Sequence, residues 1–115
     1  MGDLLAVYGT LMRGAVAWDL LRSHVAEHLG ELVLHGELFD TGQGYPAFRF
    51  GDGEVPAQLV RLRDPAAALP VLDEYEGPEY SREAVEQSGW GSCWVYVWRL
   101  PVLGFTRLSA GWLGR

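Results

Sequence analysis

Three carboxylates fall within four residues in the segment Asp73-Glu74-Tyr75-Glu76, just before Gly77-Pro78. We expect a short helix to end there, and because the carbonyl groups at a helix C-terminus disfavour anions, these acids break a local rule. Such departures are typical of functional sites. Like charge, the helix end and burial against Tyr75 or Tyr80 would each raise a carboxyl pKa, which allows proton exchange near neutrality. The alternative is a solvated acidic helix end capped by Gly77.

Among these acids, Glu76 is the candidate general acid/base. Asp73 lies three residues earlier, on roughly the same face of the predicted helix, whereas Glu74 points elsewhere. Glu76 is nearest the break, where the chain turns inward. We interpret Asp73 as a helix cap or a hydrogen-bond partner.

The second candidate is the turn from Gly9 to Gly14, which lies between a buried strand and a helix. Successive main-chain amides in such a turn can converge on an anion, helped by the positive end of the following helix. A carboxylate or an oxyanion would fit there. A strand that simply needs a glycine to turn gives the same pattern, so this segment alone does not decide the question.

Other reactive residues give weaker signals. Trp94, Tyr96 and Trp98 share one face of the last predicted strand, where they either wall a pocket or belong to the core. The histidines (His24, His28 and His35) have no acidic residue at a zinc-enzyme spacing, so we expect no metal. A nucleophilic pair of Cys93 with a histidine stays open, although Gly91-Ser92-Cys93-Trp94 matches no activated-thiol signature. No phosphate loop or dinucleotide fingerprint is present.

The elements that must position these residues follow from hydrophobic patterning and turn residues. In the first half of the chain we expect a buried strand over Leu4–Tyr8, a short helix within Ala15–Ser23, and one long strand over Val25–Phe39 that is bent or bulged at Gly30 and Gly36. A hairpin of Phe48–Phe50 with Val55–Leu62 around Gly51–Glu54 follows, and then a helix from Asp64-Pro65 toward Tyr75 that Pro70 kinks or splits. The chain ends with a last hairpin of Ser81–Gln87 with Ser92–Leu100 and an irregular tail after Pro101. That order predicts one α+β domain over residues 1–115, whose unequal strands curl into a small β-barrel.

Composition and net charge argue against several classes of binding partner and against a secreted protein. The chain has 115 residues and a net charge of −6, and its nine basic residues are all arginine and scattered. A nucleic acid or an anionic membrane would repel this surface, so we expect neither as a partner. A single cysteine cannot form an intrachain disulfide, and Asp3 stands where a signal peptide carries basic residues, so we expect a cytoplasmic protein. The oligomeric state stays open.

Three segments in order resemble the γ-glutamylcyclotransferase-like family. Val7-Tyr8-Gly9-Thr10-Leu11 with Gly14 resembles its Tyr-Gly-Ser/Thr-Leu signature, and Leu72-Asp73-Glu74-Tyr75-Glu76-Gly77 with Tyr80 and Arg82 resembles its second. Gly44-Tyr45-Pro46-Ala47 resembles a segment between them. The likeness extends from about Leu4 to Trp98, and it differs in that Thr10 replaces the more usual serine.

The resemblance implies a mixed-strand β-barrel with two or three short helices and a cavity. Main-chain amides of Gly9, Thr10 and Leu11 would bind the α-carboxylate of a γ-glutamyl group, with Tyr8 shaping this cradle. Tyr80 would also bind substrate, and Glu76 would be the acid/base. The implied reaction converts a γ-glutamyl amine or amino acid into 5-oxoproline and the free amine, without a metal or organic cofactor. A binding module that holds a small carboxylate without turnover is the main alternative, and a thiol hydrolase using Cys93 is a distant one.

Overall fold

The computed structural model describes residues 2–112. In chain order the elements are β1 (Leu4–Val7), α1 (Trp18–Arg22), β2 (Val25–Asp40), β3 (Pro46–Leu62), α2 (Pro65–Glu76), β4 (Tyr80–Gln87), β5 (Gly91–Trp98) and β6 (Thr106–Arg107). The strands form one mixed sheet in the order β4-β5-β1-β3-β2-β6, in which β1 and β5 are parallel and the other neighbours antiparallel. The sheet curls into a half-barrel, which confirms the predicted α+β fold.

The short strand β1 lies inside the sheet and is buried on both faces. Its side chains alternate between two core clusters, as the period of two in a strand requires. Leu4 and Ala6 contribute to one cluster and Leu5 and Val7 to the other. Both helices cover the second face, because their buried residues all belong to that cluster (Leu21 of α1, Ala68 and Leu72 of α2). The C-terminal end of β1 therefore lies next to α2.

The long strand β2 is confirmed, but the hairpin predicted around Gly51–Glu54 is wrong. Both of its arms belong to the single strand β3 and pair with β2 rather than with each other. The register jumps from Glu54 to Phe50 opposite the step from His35 to Gly36, so the residues between them form a bulge. The amide of Gly53 donates to Glu37 Oε2 at 3.1 Å, which satisfies one donor that the bulge releases from the ladder.

The structure confirms one smaller expectation and corrects two. Helix α1 lies within Ala15–Ser23, as predicted. Helix α2 is one helix that contains Pro70, so the predicted alternative of two separate turns is wrong. The tail after Pro101 is not wholly irregular, because β6 pairs with the end of β2. Trp112 is buried in the first core cluster, and this apolar contact fixes the tail against the sheet. None of the helices among residues 2–112 is long and apolar enough to cross a membrane.

Candidate functional site

Glu76 points inward because of its place on α2. Ala68, Leu72 and Glu76 follow one another at intervals of four, so they lie on one face of the helix. Ala68 and Leu72 are fully buried in the core cluster beneath α2. Glu76 continues that face at the last helical residue. Gly77, at φ 85°, then ends the helix, and its amide donates to the Asp73 carbonyl at 3.0 Å.

The turn after β1 brings main-chain amides to the same place. The amide of Met12 donates to the Gly9 carbonyl at 3.0 Å, which closes the turn. Within residues 2–112, no backbone hydrogen bond is donated by Gly9, Thr10 or Leu11, whereas Met12, Ala15 and Ala17 all donate one. The three amides are thus without a main-chain acceptor among the described residues and available to an anion, and the anion cradle stays a prediction.

Gly9 is required by a close approach rather than by an unusual backbone angle. A Cβ atom at this position would lie 2.7 Å from Pro46 Cγ and 2.9 Å from Pro46 Cδ. Those distances are well inside van der Waals contact. The first and middle sequence segments therefore depend on each other physically, since Pro46 packs directly on the glycine of the turn.

The turn after β1 and the C-terminal end of α2 enclose a cavity of about 340 Å³. All six residues to which the family resemblance gave a role line it: Tyr8, Gly9, Thr10, Leu11, Glu76 and Tyr80. Seven further residues complete the lining: Ala6, Val7, Tyr45, Pro46, Tyr75, Glu79 and Tyr96. The cavity thus brings a buried carboxyl group and the proposed cradle into one space.

Hydrogen bonds hold the polar wall of this cavity in place. The Tyr8 hydroxyl donates to the Tyr96 carbonyl at 2.7 Å, and the Tyr80 hydroxyl donates to the Pro46 carbonyl. The hydroxyl groups of Thr10 and Tyr75 lie 2.8 Å apart and link the turn to α2. Burial raises the pKa of the Tyr8 and Tyr80 phenols, so both stay protonated donors at neutral pH.

The electrostatics of Glu76 are unusual for a carboxyl group. Burial, and secondly the negative charge of Asp73, raise the pKa of Glu76 from 4.5 to about 8. A carboxyl group with this pKa populates both protonation states near neutrality. The sequence predicted a raised pKa from like charge, the helix end and burial; burial is the largest cause, and the charge of Asp73 is the second.

The environment of Asp73 favours the ionised carboxylate, in contrast to that of Glu76. Arg82 Nε donates to Asp73 Oδ1 at 2.8 Å and its Nη2 to Oδ2 at 3.1 Å, a bidentate ion pair. The Tyr96 hydroxyl donates to Oδ1 at 2.7 Å. These contacts, with the hydrogen bond from Arg82 the largest, lower the pKa of Asp73. Asp73 is therefore a hydrogen-bonded anion, as predicted, and it keeps a negative charge beside Glu76.

Sequence reasoning missed Glu79, which lines the cavity beyond the Gly77-Pro78 break. Its Oε1 atom lies 3.3 Å from the Tyr45 hydroxyl, which is also 2.9 Å from Gln43 Oε1. The sequence prediction was limited to the acidic residues of the predicted helix, Asp73, Glu74 and Glu76. The signal that would have found Glu79 is its place between Pro78 and Tyr80, inside the second family-like segment.

The thiol alternative has little support in the structure. Cys93 is 2% exposed and belongs to the first core cluster, and burial raises the pKa of its thiol. Both features oppose nucleophilic activation. In the part of the chain that the structure describes, no group of three or more His, Cys, Asp or Glu residues is arranged to hold a metal ion.

Comparison with known proteins shows the family. A sequence model of the family described as "Gamma-glutamyl cyclotransferase, AIG2-like" matches residues 5–113. The chain belongs to that family. The "Gamma-glutamylcyclotransferase family protein ytfP" of Citrobacter rodentium is 36% identical over 91 residues, which cover 76% of each chain. The protein of that name from Escherichia coli K12 is 34% identical over 94 residues, 78% of this chain and 80% of the relative.

Solved structures of the gamma-glutamyl cyclotransferase, AIG2-like family share the fold. The solution structure of ytfP from Escherichia coli aligns with a TM-score of 0.70 and 28% identity, over 95% of this chain and 94% of that one. A crystal structure of an AIG2-like protein from Mus musculus aligns with a TM-score of 0.69 and 22% identity, over 94% and 86%. The curled sheet with its two helices is thus the fold of the family.

Proposed function

We propose that this protein is a cyclotransferase that converts a γ-glutamyl amine or a γ-glutamyl amino acid into 5-oxoproline and the free amine. One observation carries the proposal: the carboxyl group of Glu76, with its pKa of about 8, lines the same cavity as the unbonded amides of Gly9, Thr10 and Leu11. Membership of the gamma-glutamyl cyclotransferase, AIG2-like family supports the same class of reaction.

In this proposal the amides of the turn bind the α-carboxylate of the γ-glutamyl group. The wall of fixed tyrosines, including Tyr8 and Tyr80, limits how the rest of the group lies in the cavity. A carboxylate fixed at the turn leaves the α-amino group and the γ-carbonyl free to face the end of α2. That is where Glu76 lies.

The chemistry is an intramolecular aminolysis. The α-amino nitrogen attacks the γ-carbonyl carbon and forms the new C–N bond of the five-membered ring. The original C–N bond to the amine then breaks. No water is consumed, and the only net transfer is one proton from the attacking nitrogen to the leaving nitrogen.

Glu76 carries that proton. Its ionised form accepts the proton from the attacking nitrogen, and the resulting carboxylic acid donates it to the leaving nitrogen. A pKa near 8 suits both steps at neutral pH, which an ordinary glutamate would not. Because the nucleophile is already tethered to its target, positioning supplies much of the rate enhancement, and the mechanism requires no cofactor.

The proposal is tested by offering the protein a panel of γ-glutamyl amines, γ-glutamyl dipeptides and γ-glutamyl-lysine and measuring 5-oxoproline by mass spectrometry. We expect 5-oxoproline and free amine in equal amounts from at least one compound. Glu76→Gln should abolish this release, and Glu74→Gln, an exposed neighbour on α2, serves as the matched control. If 5-oxoproline binds calorimetrically but no compound is turned over, the protein is a carboxylate-binding module instead.

A further inference from the structure

Carboxyl groups line the cavity, and no basic side chain does. Of its lining residues, only Glu76 and Glu79 carry carboxyl groups, and none is an arginine or histidine. Asp73, just outside, is paired with Arg82. Among residues 2–112, no arginine or histidine forms an ion pair with Glu79. Glu79 therefore presents to whatever occupies the cavity a carboxyl group that has no ion-pair partner among the described residues.

Aromatic rings lie next to that carboxylate. Tyr45, whose hydroxyl is 3.3 Å from Glu79 Oε1, has its ring centroid 6.4 Å from that of Tyr80. Trp98, which is buried and is not part of the lining, supports both rings from within the core, with centroids 6.5 Å from Tyr45 and 5.2 Å from Tyr80. A carboxylate beside the faces and edges of aromatic rings is a favourable environment for an alkylammonium group, through direct charge attraction and cation–π contact.

We infer that Glu79 makes the enzyme select γ-glutamyl amines whose leaving group carries a second, positively charged nitrogen. This inference rests on the proposed function. In the proposed function the amides of the turn bind the γ-glutamyl α-carboxylate, so the leaving amine occupies the rest of the cavity, whose lining includes Glu79. A leaving group with its own carboxylate, as in a γ-glutamyl amino acid, would meet Glu79 with no cation to offset the repulsion.

Three substrates of equal length isolate this effect. Each joins the γ-glutamyl group to a four-carbon amine whose far end is a methyl group, an ammonium group or a carboxylate. For the wild-type protein we expect kcat/KM to be highest for the ammonium compound and lowest for the carboxylate compound. Each change of one charge should alter kcat/KM by roughly three- to tenfold, as for a partly exposed charge pair. The difference should shrink as salt is added.

Substitution of Glu79 identifies the source of the preference. Glu79→Gln should bring the three kcat/KM values together, and Glu79→Arg should reverse their order. Glu54→Gln, an exposed residue of β3, changes the net charge equally and should keep the wild-type order.

The outcomes separate the two proposals. Equal turnover of all three compounds by the wild-type protein, or an order that survives Glu79→Arg, contradicts the role of Glu79 but leaves the cyclotransferase intact. The absence of 5-oxoproline from all three, with the neutral compound included, contradicts both.

Discussion

Asp73 and Glu76 lie three residues apart at the end of α2, and their pKa values are shifted in opposite directions. The bidentate contact with Arg82 lowers the pKa of Asp73, while burial and the charge of Asp73 raise that of Glu76 to about 8. Two neighbouring carboxyl groups whose environments separate their pKa values are a common arrangement for acid/base catalysis. One stays an anion, and the other exchanges its proton.

The protonation state of Glu76 can be observed without substrate. At pH 6 we expect a protonated carboxyl group, visible by infrared spectroscopy as a carboxylic acid C=O band that disappears with a midpoint near pH 8. Glu76→Gln should lack this band, and Glu74→Gln should retain it. A band that is already absent at pH 6 in the wild-type protein would show that Glu76 titrates as an ordinary glutamate.

Asp73 is a positioning residue whose charge tunes Glu76. Asp73→Asn removes the negative charge and leaves Arg82 uncompensated, so the midpoint of the Glu76 titration should move to lower pH. Arg82→Gln leaves the Asp73 anion without its partner and should move it to higher pH. The two shifts are read from the infrared titration and from the pH dependence of kcat/KM. Shifts of the same sign, or none, would contradict the electrostatic role of this pair.

The raised pKa of Glu76 also predicts how the free energy of unfolding depends on pH. The folded-state pKa of Glu76 exceeds its unfolded value of 4.5, so the folded state binds more protons between about pH 4.5 and 8, and stability falls as pH rises through that range. Glu76→Gln lacks this cost. We expect it to be more stable than the wild type above pH 8 by about 2 to 5 kcal/mol, but not below pH 4.5, in urea unfolding. A pH-independent difference would contradict the shift, with Glu74→Gln as control.

Contact between the turn and Pro46 can be tested by a double-mutant cycle. Gly9→Ala places a methyl group against Pro46 Cγ and Cδ, and we expect it to destabilise the fold by about 1 to 3 kcal/mol. Pro46→Ala removes both atoms while keeping the carbonyl that accepts from Tyr80. In the double variant, Gly9→Ala should therefore cost at least about 1 kcal/mol less than it does alone. Additive effects in urea unfolding would mean that Gly9 is not fixed by this contact.

Much of the site was predictable because its determinants are local. The helix from Pro65, the glycine turn after β1 and the acids before Gly77-Pro78 all follow from neighbouring residues. The inward direction of Glu76 was also available, since Ala68 and Leu72 precede it at intervals of four on one apolar face.

The features that the sequence did not predict depend on contacts between residues far apart in the chain. The turn-like Gly51–Gly53 segment predicted a hairpin, yet each flank finds its partner in β2, so tertiary pairing overrides the local signal. Gly9 needs to be glycine because Pro46 packs on it, a contact between residues far apart in the chain. Likewise, the place of Glu79 in the cavity depends on how the chain returns into β4 after α2.

The most direct test of the account is the effect of Glu76→Gln on kcat/KM for the best γ-glutamyl substrate at pH 8, measured as 5-oxoproline release. Glu74→Gln is the matched control, because it makes the same chemical change two residues away on an exposed position of α2. We predict that Glu76→Gln lowers kcat/KM by roughly 100-fold or more while 5-oxoproline still binds, and that Glu74→Gln stays within about twofold of the wild type. Undiminished turnover by a folded Glu76→Gln variant would contradict the claim that Glu76 carries the proton.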